Sequence, residues 1–236
     1  MSLLDSLGNN NQAVGIHTGV DLIFVIDATG SMEPILSKVK ENALSLYDRI
    51  VTGLRTARRT VKELRIKVIV YRDFYVDTKA IETSEHFFVL PDEKQAYHDF
   101  INSIQPMGGG DEPESALEAL YYAMRSEWSK KYQKRRHIIV VLTDASGHKL
   151  DNPQRQYDSI YPSEIPHSLS DLQKIWVNRQ GRMTYEARRM AIFAPNSYPW
   201  NEVGAWGQVQ FTPSKAGEGL SEMDMDTVIN YIVASI

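Results

Sequence analysis

The 236-residue chain contains no cysteine. That absence excludes disulfides, thiolate metal sites and a cysteine nucleophile. Long apolar runs are missing as well. Leu22–Ile26 and Ile138–Leu142 have five residues each, against the roughly 20 that a bilayer-spanning helix needs. Residues 1–19, polar and rich in Asn, Gly and Ser, contain no apolar targeting core and read as a flexible N-terminal segment. Neither sign of charge dominates: 26 Lys plus Arg face 30 Asp plus Glu, a net charge of −4. That balance argues against bulk attraction to nucleic acid or to a membrane surface. No Gly-rich loop is followed by Lys and Ser or Thr, so a P-loop nucleotide site has no support. Residues 20–236 show no repeat and no composition break, and read as one domain. A cytoplasmic location is the expectation.

What is present is an alternation of buried strands and amphipathic helices. Leu22–Ile26, Ile66–Tyr71, Ile138–Leu142 and Met190–Ala194 have the short apolar pattern of strands covered on both faces, and Gln208–Thr212 is a weaker one. His86–Leu90 reads as an edge strand. Ile35, Val39, Ala43, Leu46 and Ile50 predict one helix, with Pro34 near its start. Ala96 to Ile104, Leu117 to Trp128, Leu169 to Trp176 and Met225 to Ile236 predict four more. The alternation predicts an α/β fold, Rossmann-like and doubly wound, with a mostly parallel sheet, one antiparallel edge strand and helices on both faces.

Three carboxylates follow apolar strands. Asp27 directly ends the first, Asp73 lies two residues after Tyr71, and Asp144 lies two after Leu142. The carboxyl ends of parallel strands share one edge of the sheet, where ligands bind. Asp111, in a glycine turn leading to a helix, belongs to the same edge. Together with Thr29 and Ser31 these form an all-oxygen set suited to a hard divalent cation, Mg²⁺ first and Mn²⁺ or Ca²⁺ as alternatives.

The segment Phe24-Val25-Ile26-Asp27-Ala28-Thr29-Gly30-Ser31-Met32 resembles the first metal-site motif of the von Willebrand factor A family, Asp-x-Ser-x-Ser after a buried strand. Val141-Leu142-Thr143-Asp144 resembles its later strand-end aspartate. The resemblance implies a metal-ion-dependent adhesion site in which Asp27, Thr29 and Ser31 hold the cation directly or through water, while Asp144 accepts a bound water. It implies a protein-binding module, bacterial or intracellular in type, whose partner offers an Asp or Glu to the metal, with an associated ATPase or kinase. Where the family supplies a Thr, this chain has Gly108-Gly109-Gly110-Asp111-Glu112-Pro113-Glu114. Either Asp111 or Ser115 completes the site. With three aspartates around a divalent ion, the local charge becomes negative and attracts a partner carboxylate less well.

The enzyme alternative is a Mg²⁺-dependent phosphohydrolase of the haloacid-dehalogenase type. It requires a second Asp two residues after the first, where this chain has Thr29. The other signals leave two readings each. Asp73 either stands behind the metal, pairs with Arg72 or caps a turn. His148 either touches a ligand or is solvated. Tyr157 and Tyr161, in the long Pro-containing connection 145–167, either meet the partner or fasten that loop to the domain. The basic runs Arg55 to Arg65 and Lys130 to Arg136 form either a solvated lower edge or an anion patch. Trp200 and Trp206 belong either to the core or to an interface.

Overall fold

The five-residue apolar runs become the two central strands of a sheet. The computed structural model describes residues 18–108, 112–156 and 161–236. Asp111, Tyr157 and residues 1–17 of the expected N-terminal segment lie outside them. The strands are β1 (Thr18–Asp27), β2 (Glu63–Tyr71), β3 (Ile81–Thr83), β4 (Phe88–Leu90), β5 (Lys134–Leu142), β6 (Arg188–Pro195) and β7 (Val209–Ser214). The helices are α1 (Glu33–Asn42), α2 (Leu46–Thr56), α3 (Lys94–Ser103), α4 (Ala116–Arg125), α5 (Leu169–Val177), α6 (Trp200–Val203) and α7 (Met225–Ser235).

The sheet order is β3-β2-β1-β5-β6-β7, with every pair from β2 to β7 parallel. The antiparallel edge is divided: β3 and β4 each pair with a different stretch of β2. All ten residues of β1 are buried, because helices cover both faces. Strand alternation sends Leu22, Phe24 and Ile26 into one core with α1, α2, α3 and α7, and Ile23 and Val25 into a second with α4, α5 and α6. Even Asp21 is buried on β1, where Arg65 makes paired contacts at 2.8 and 2.6 Å and the Ser129 amide adds a third at 2.6 Å. A buried carboxylate on a central strand requires such partners.

Two expectations need correction. The helix predicted from Ile35 to Ile50 is two helices, broken at residues 43–45. The Asn42 side chain donates to the Lys38 carbonyl and Ser45 donates to the Asn42 carbonyl, so side chains compete with the helical ladder there. The hydrophobic spacing continues through the break because Ala43 within it and Leu46 just after it remain buried. Trp128 lies beyond α4, stacked on His137 with ring centroids 5.0 Å apart. Trp200 and Trp206 are both buried, which places them in the core.

Much of the lower edge serves internal contacts. Arg65 pairs with Asp21, and Lys131 pairs with Glu63. Arg59 and Arg136 donate to the last carbonyls of α7, from Val233, Ala234 and Ser235, where cations oppose the negative end of the helix dipole.

Candidate metal centre

Asp27 ends β1 in register with Tyr71 of β2, and Ile26 is in register with Leu142 of β5. The two carboxylates therefore leave adjacent strands on the same edge. Asp27 and Asp144 are fully buried. Asp27 Oδ1 accepts from the Thr29 amide at 2.9 Å and from the Thr29 hydroxyl at 2.7 Å. The Thr29 and Ser31 hydroxyls lie 3.4 Å apart, and Ser31 donates to Asp144 Oδ1 at 3.0 Å. An unbroken run of oxygens thus joins one carboxylate to the other. Thr143, whose role sequence reading missed, donates to Asp27 Oδ2 at 2.7 Å.

Burial pushes the Asp27 carboxyl up from 3.8 to about 6; the Thr29 and Thr143 hydrogen bonds oppose the rise, and the nearby Asp144 charge adds to it. The Tyr71 hydroxyl lies in the same buried environment, raised well above its ordinary value by burial first and by the Asp27 charge second. Neither Asp27 nor Asp144 has a Lys, Arg or His partner among the described residues. Two buried carboxylates without a counter-cation are electrostatically incomplete, and hard oxygen donors surround them. In that respect the residues fit a divalent cation. Among the described residues, no third Asp, Glu or His joins them to form a metal cluster.

A segment from the far end of the chain closes this edge. Gly217 donates its amide to the Asp144 carbonyl at 2.9 Å, and Gly219 donates to Asp144 Oδ2 at 2.6 Å. Gly219 has φ +59°, and a Cβ there would lie 2.1 Å from the Ser31 carbonyl oxygen. Lys38 fastens the continuation of the segment by donating to the Ser221 and Met223 carbonyls at 2.7 and 2.6 Å.

Ser115 belongs to a neighbouring group instead. Its hydroxyl donates to Asp73 Oδ1 at 3.1 Å and accepts from the Phe74 amide at 2.9 Å, wholly buried. The expectation of Ser115 as an alternative ligand to Asp111 therefore finds that hydroxyl already engaged. Asp73 also accepts from the Tyr75 amide and lies 3.1 Å from His148 Nε2. Burial pushes the Asp73 carboxyl up, but His148, the Tyr75 amide and Ser115 outweigh it and hold it below its ordinary value. Arg72 is not its partner, since it turns to Glu82 and to the Met107 and Gln105 carbonyls. His148 is thus largely enclosed beside Asp73 and is not a solvated loop residue.

Tyr161 is corrected as well. It is buried, donates to Glu118 Oε1 at 2.5 Å and stacks on Tyr75 with centroids 5.8 Å apart. Its ring fastens the loop to the domain and is not presented to a partner. No helix among the described residues is long and apolar enough to cross a membrane.

Among proteins with which this chain shares sequence, it is 23% identical over 158 residues to the alpha-protein kinase vwkA of Dictyostelium discoideum, a match covering 67% of this chain and 23% of that protein. It is 29% identical over 149 residues to an ariadne-like RING finger protein of Acanthamoeba polyphaga mimivirus, covering 63% of this chain and 13% of the relative. The chain therefore spans less than a quarter of either relative's length. Among solved structures, the pilus adhesin SpaC of Lactobacillus rhamnosus GG shares the fold at a TM-score of 0.56 and 10% identity, over 92% of this chain and 31% of the adhesin. The von Willebrand factor A domain model matches residues 21–161, more than half of the sequence, and the chain belongs to that family.

Proposed function

We propose that this chain is a metal-ion-dependent protein-binding module. A divalent cation, Mg²⁺ first and Mn²⁺ or Ca²⁺ as alternatives, would be held by Asp27, Thr29, Ser31 and Asp144, with Asp111 of the glycine turn as a further ligand. The bound cation supplies a positive seat for an Asp or Glu from a protein partner. One observation carries the reading: Asp27 and Asp144 are buried side by side, linked through hydroxyls, with no counter-cation among the described residues. The chain's own contribution is positioning. Thr143 and the Thr29 amide fix Asp27, while Gly219 fixes Asp144. The similarity to an alpha-protein kinase supports a place beside a kinase; the intracellular setting and an ATPase as the alternative neighbour rest on the family resemblance alone. Tyr157, in the sequence of the connection 145–167 that follows Asp144, is the proposed partner contact in place of Tyr161.

Calorimetric titration with Mg²⁺ and Mn²⁺ tests the proposal. One site is expected in the wild type and none in Asp27→Ala, with circular dichroism confirming that the variant folds. Equal binding by both proteins would remove the metal reading.

A further inference from the structure

A groove of about 460 Å³ opens between the outer part of the sheet and the C-terminal half of α4. Its size lies within the range of small-ligand sites. Ile69 of β2 and Ile81 of β3 line it from the sheet, with Phe74 and Tyr122 also along its walls. Two cations complete the lining, Lys67 and Arg125, and no acidic side chain is among the lining residues. Strand alternation explains part of that asymmetry. Ile81 and Thr83 line the groove, while Glu82 between them turns away to pair with Arg72 and Lys79. Glu164 accepts from the Tyr122 hydroxyl at 3.0 Å and does not line the groove.

Neither cation is neutralised. Lys67 is half-buried, and its ammonium donates to one neutral acceptor, the Ser84 carbonyl at 2.9 Å. Burial holds its pKa below the ordinary lysine value, as expected of an ammonium without a carboxylate beside it. Arg125 is exposed and makes no ion pair or side-chain hydrogen bond among the described residues. A half-buried ammonium and a free guanidinium beside apolar walls call for one kind of occupant, with an anionic head and an apolar body.

We propose that this groove binds a free carboxylic acid with an aliphatic or aryl-alkyl tail. The tail lies against Ile69, Ile81 and Phe74, and the carboxylate faces Lys67 and Arg125. The site uses none of the metal-edge residues, so it stands whether or not a cation binds there.

The test compares octanoate with 1-octanol, which shares the tail and lacks the charge, by calorimetry and by methyl NMR in the presence of EDTA. Octanoate is expected to bind about tenfold or more tightly than octanol, shifting the Ile69 and Ile81 methyl signals. Arg125→Glu lies at an exposed position and should fold normally; it should weaken octanoate about tenfold and leave octanol unchanged. Lys67→Met keeps the aliphatic stem and should weaken octanoate in the same direction. Equal affinity for acid and alcohol, indifference to Arg125→Glu, or methyl shifts confined to another region would each overturn the proposal.

Discussion

Gly219 donates its backbone amide to Asp144 Oδ2 across 75 residues of sequence, in an approach that leaves no room for a side chain. A Cβ at this position would lie 2.1 Å from the Ser31 carbonyl and 2.7 Å from Pro34 Cδ, at a backbone φ of +59°. Gly219→Ala should therefore push the segment off the edge. The expected cost is about 1–3 kcal/mol in denaturant unfolding. Crystallography or amide NMR of the variant should show the contact to Asp144 broken; an unchanged contact at unchanged stability would contradict the steric argument.

Asp27 makes the metal-free protein sensitive to pH in an unusual direction. Its carboxyl is raised from 3.8 to about 6 in the folded state. Between those values the folded chain keeps a proton that the unfolded chain has released, so stability falls as pH rises through about 6. The contribution is present below the unfolded value and amounts to about 3 kcal/mol when fully lost. Unfolding measured in EDTA across this range should show the decline in the wild type and a smaller one in Asp27→Asn. Saturating Mn²⁺ should reverse the sign, because cation binding favours the deprotonated form. Parallel pH profiles for the two proteins would refute the assignment.

Thr143→Val keeps the side-chain shape and removes the 2.7 Å donor to Asp27 Oδ2. Because that hydrogen bond opposes the rise of the Asp27 pKa, its loss should weaken Mn²⁺ binding near neutral pH by several-fold. Titration at higher pH should recover part of the loss, a recovery that simple misfolding would not produce.

Tyr161→Phe tests the packing role of the long loop. The Tyr161 hydroxyl reaches the buried Glu118, whose carboxyl burial pushes up despite that bond. Removing the donor should cost about 1–3 kcal/mol, read by chemical unfolding, with the Mn²⁺ titration unchanged. A weakened metal site with unchanged stability would show the reverse arrangement.

The parts of this molecule legible in sequence are those set by local pattern. Leu22–Ile26 and Ile138–Leu142 are short and apolar throughout, and Asp27 and Asp144 follow them, so parallel pairing delivers both carboxylates to one edge. What could not be read depends on partners distant in sequence. Nothing near Gly219 marks it as the neighbour of Asp144. Nothing near Tyr161 shows that its hydroxyl meets Glu118, 43 residues away. Ser115 had the right chemistry for a metal ligand, but Asp73, 42 residues away, engages its hydroxyl. The break between α1 and α2 escaped notice for a different reason: burial of Ala43 and Leu46 preserves the helical spacing while Asn42 and Ser45 interrupt the backbone.

Asp27 ends β1 and Asp144 lies two residues beyond the end of β5, the strand beside it, whereas the hydroxyls and amides around them arrive on connecting segments. Adjacent strands are spaced by their own hydrogen bonds at about 4.8 Å, whatever the loops contain. The sheet therefore acts as a fixed gauge between the two strand ends from which the charges depart, and the connections behave as interchangeable jaws. Grafting a relative's glycine turn or its β7–α7 connection onto this chain should alter ion preference and partner choice while leaving that gauge as it is. New specificities could then arise by loop replacement, without redesign of the buried strands.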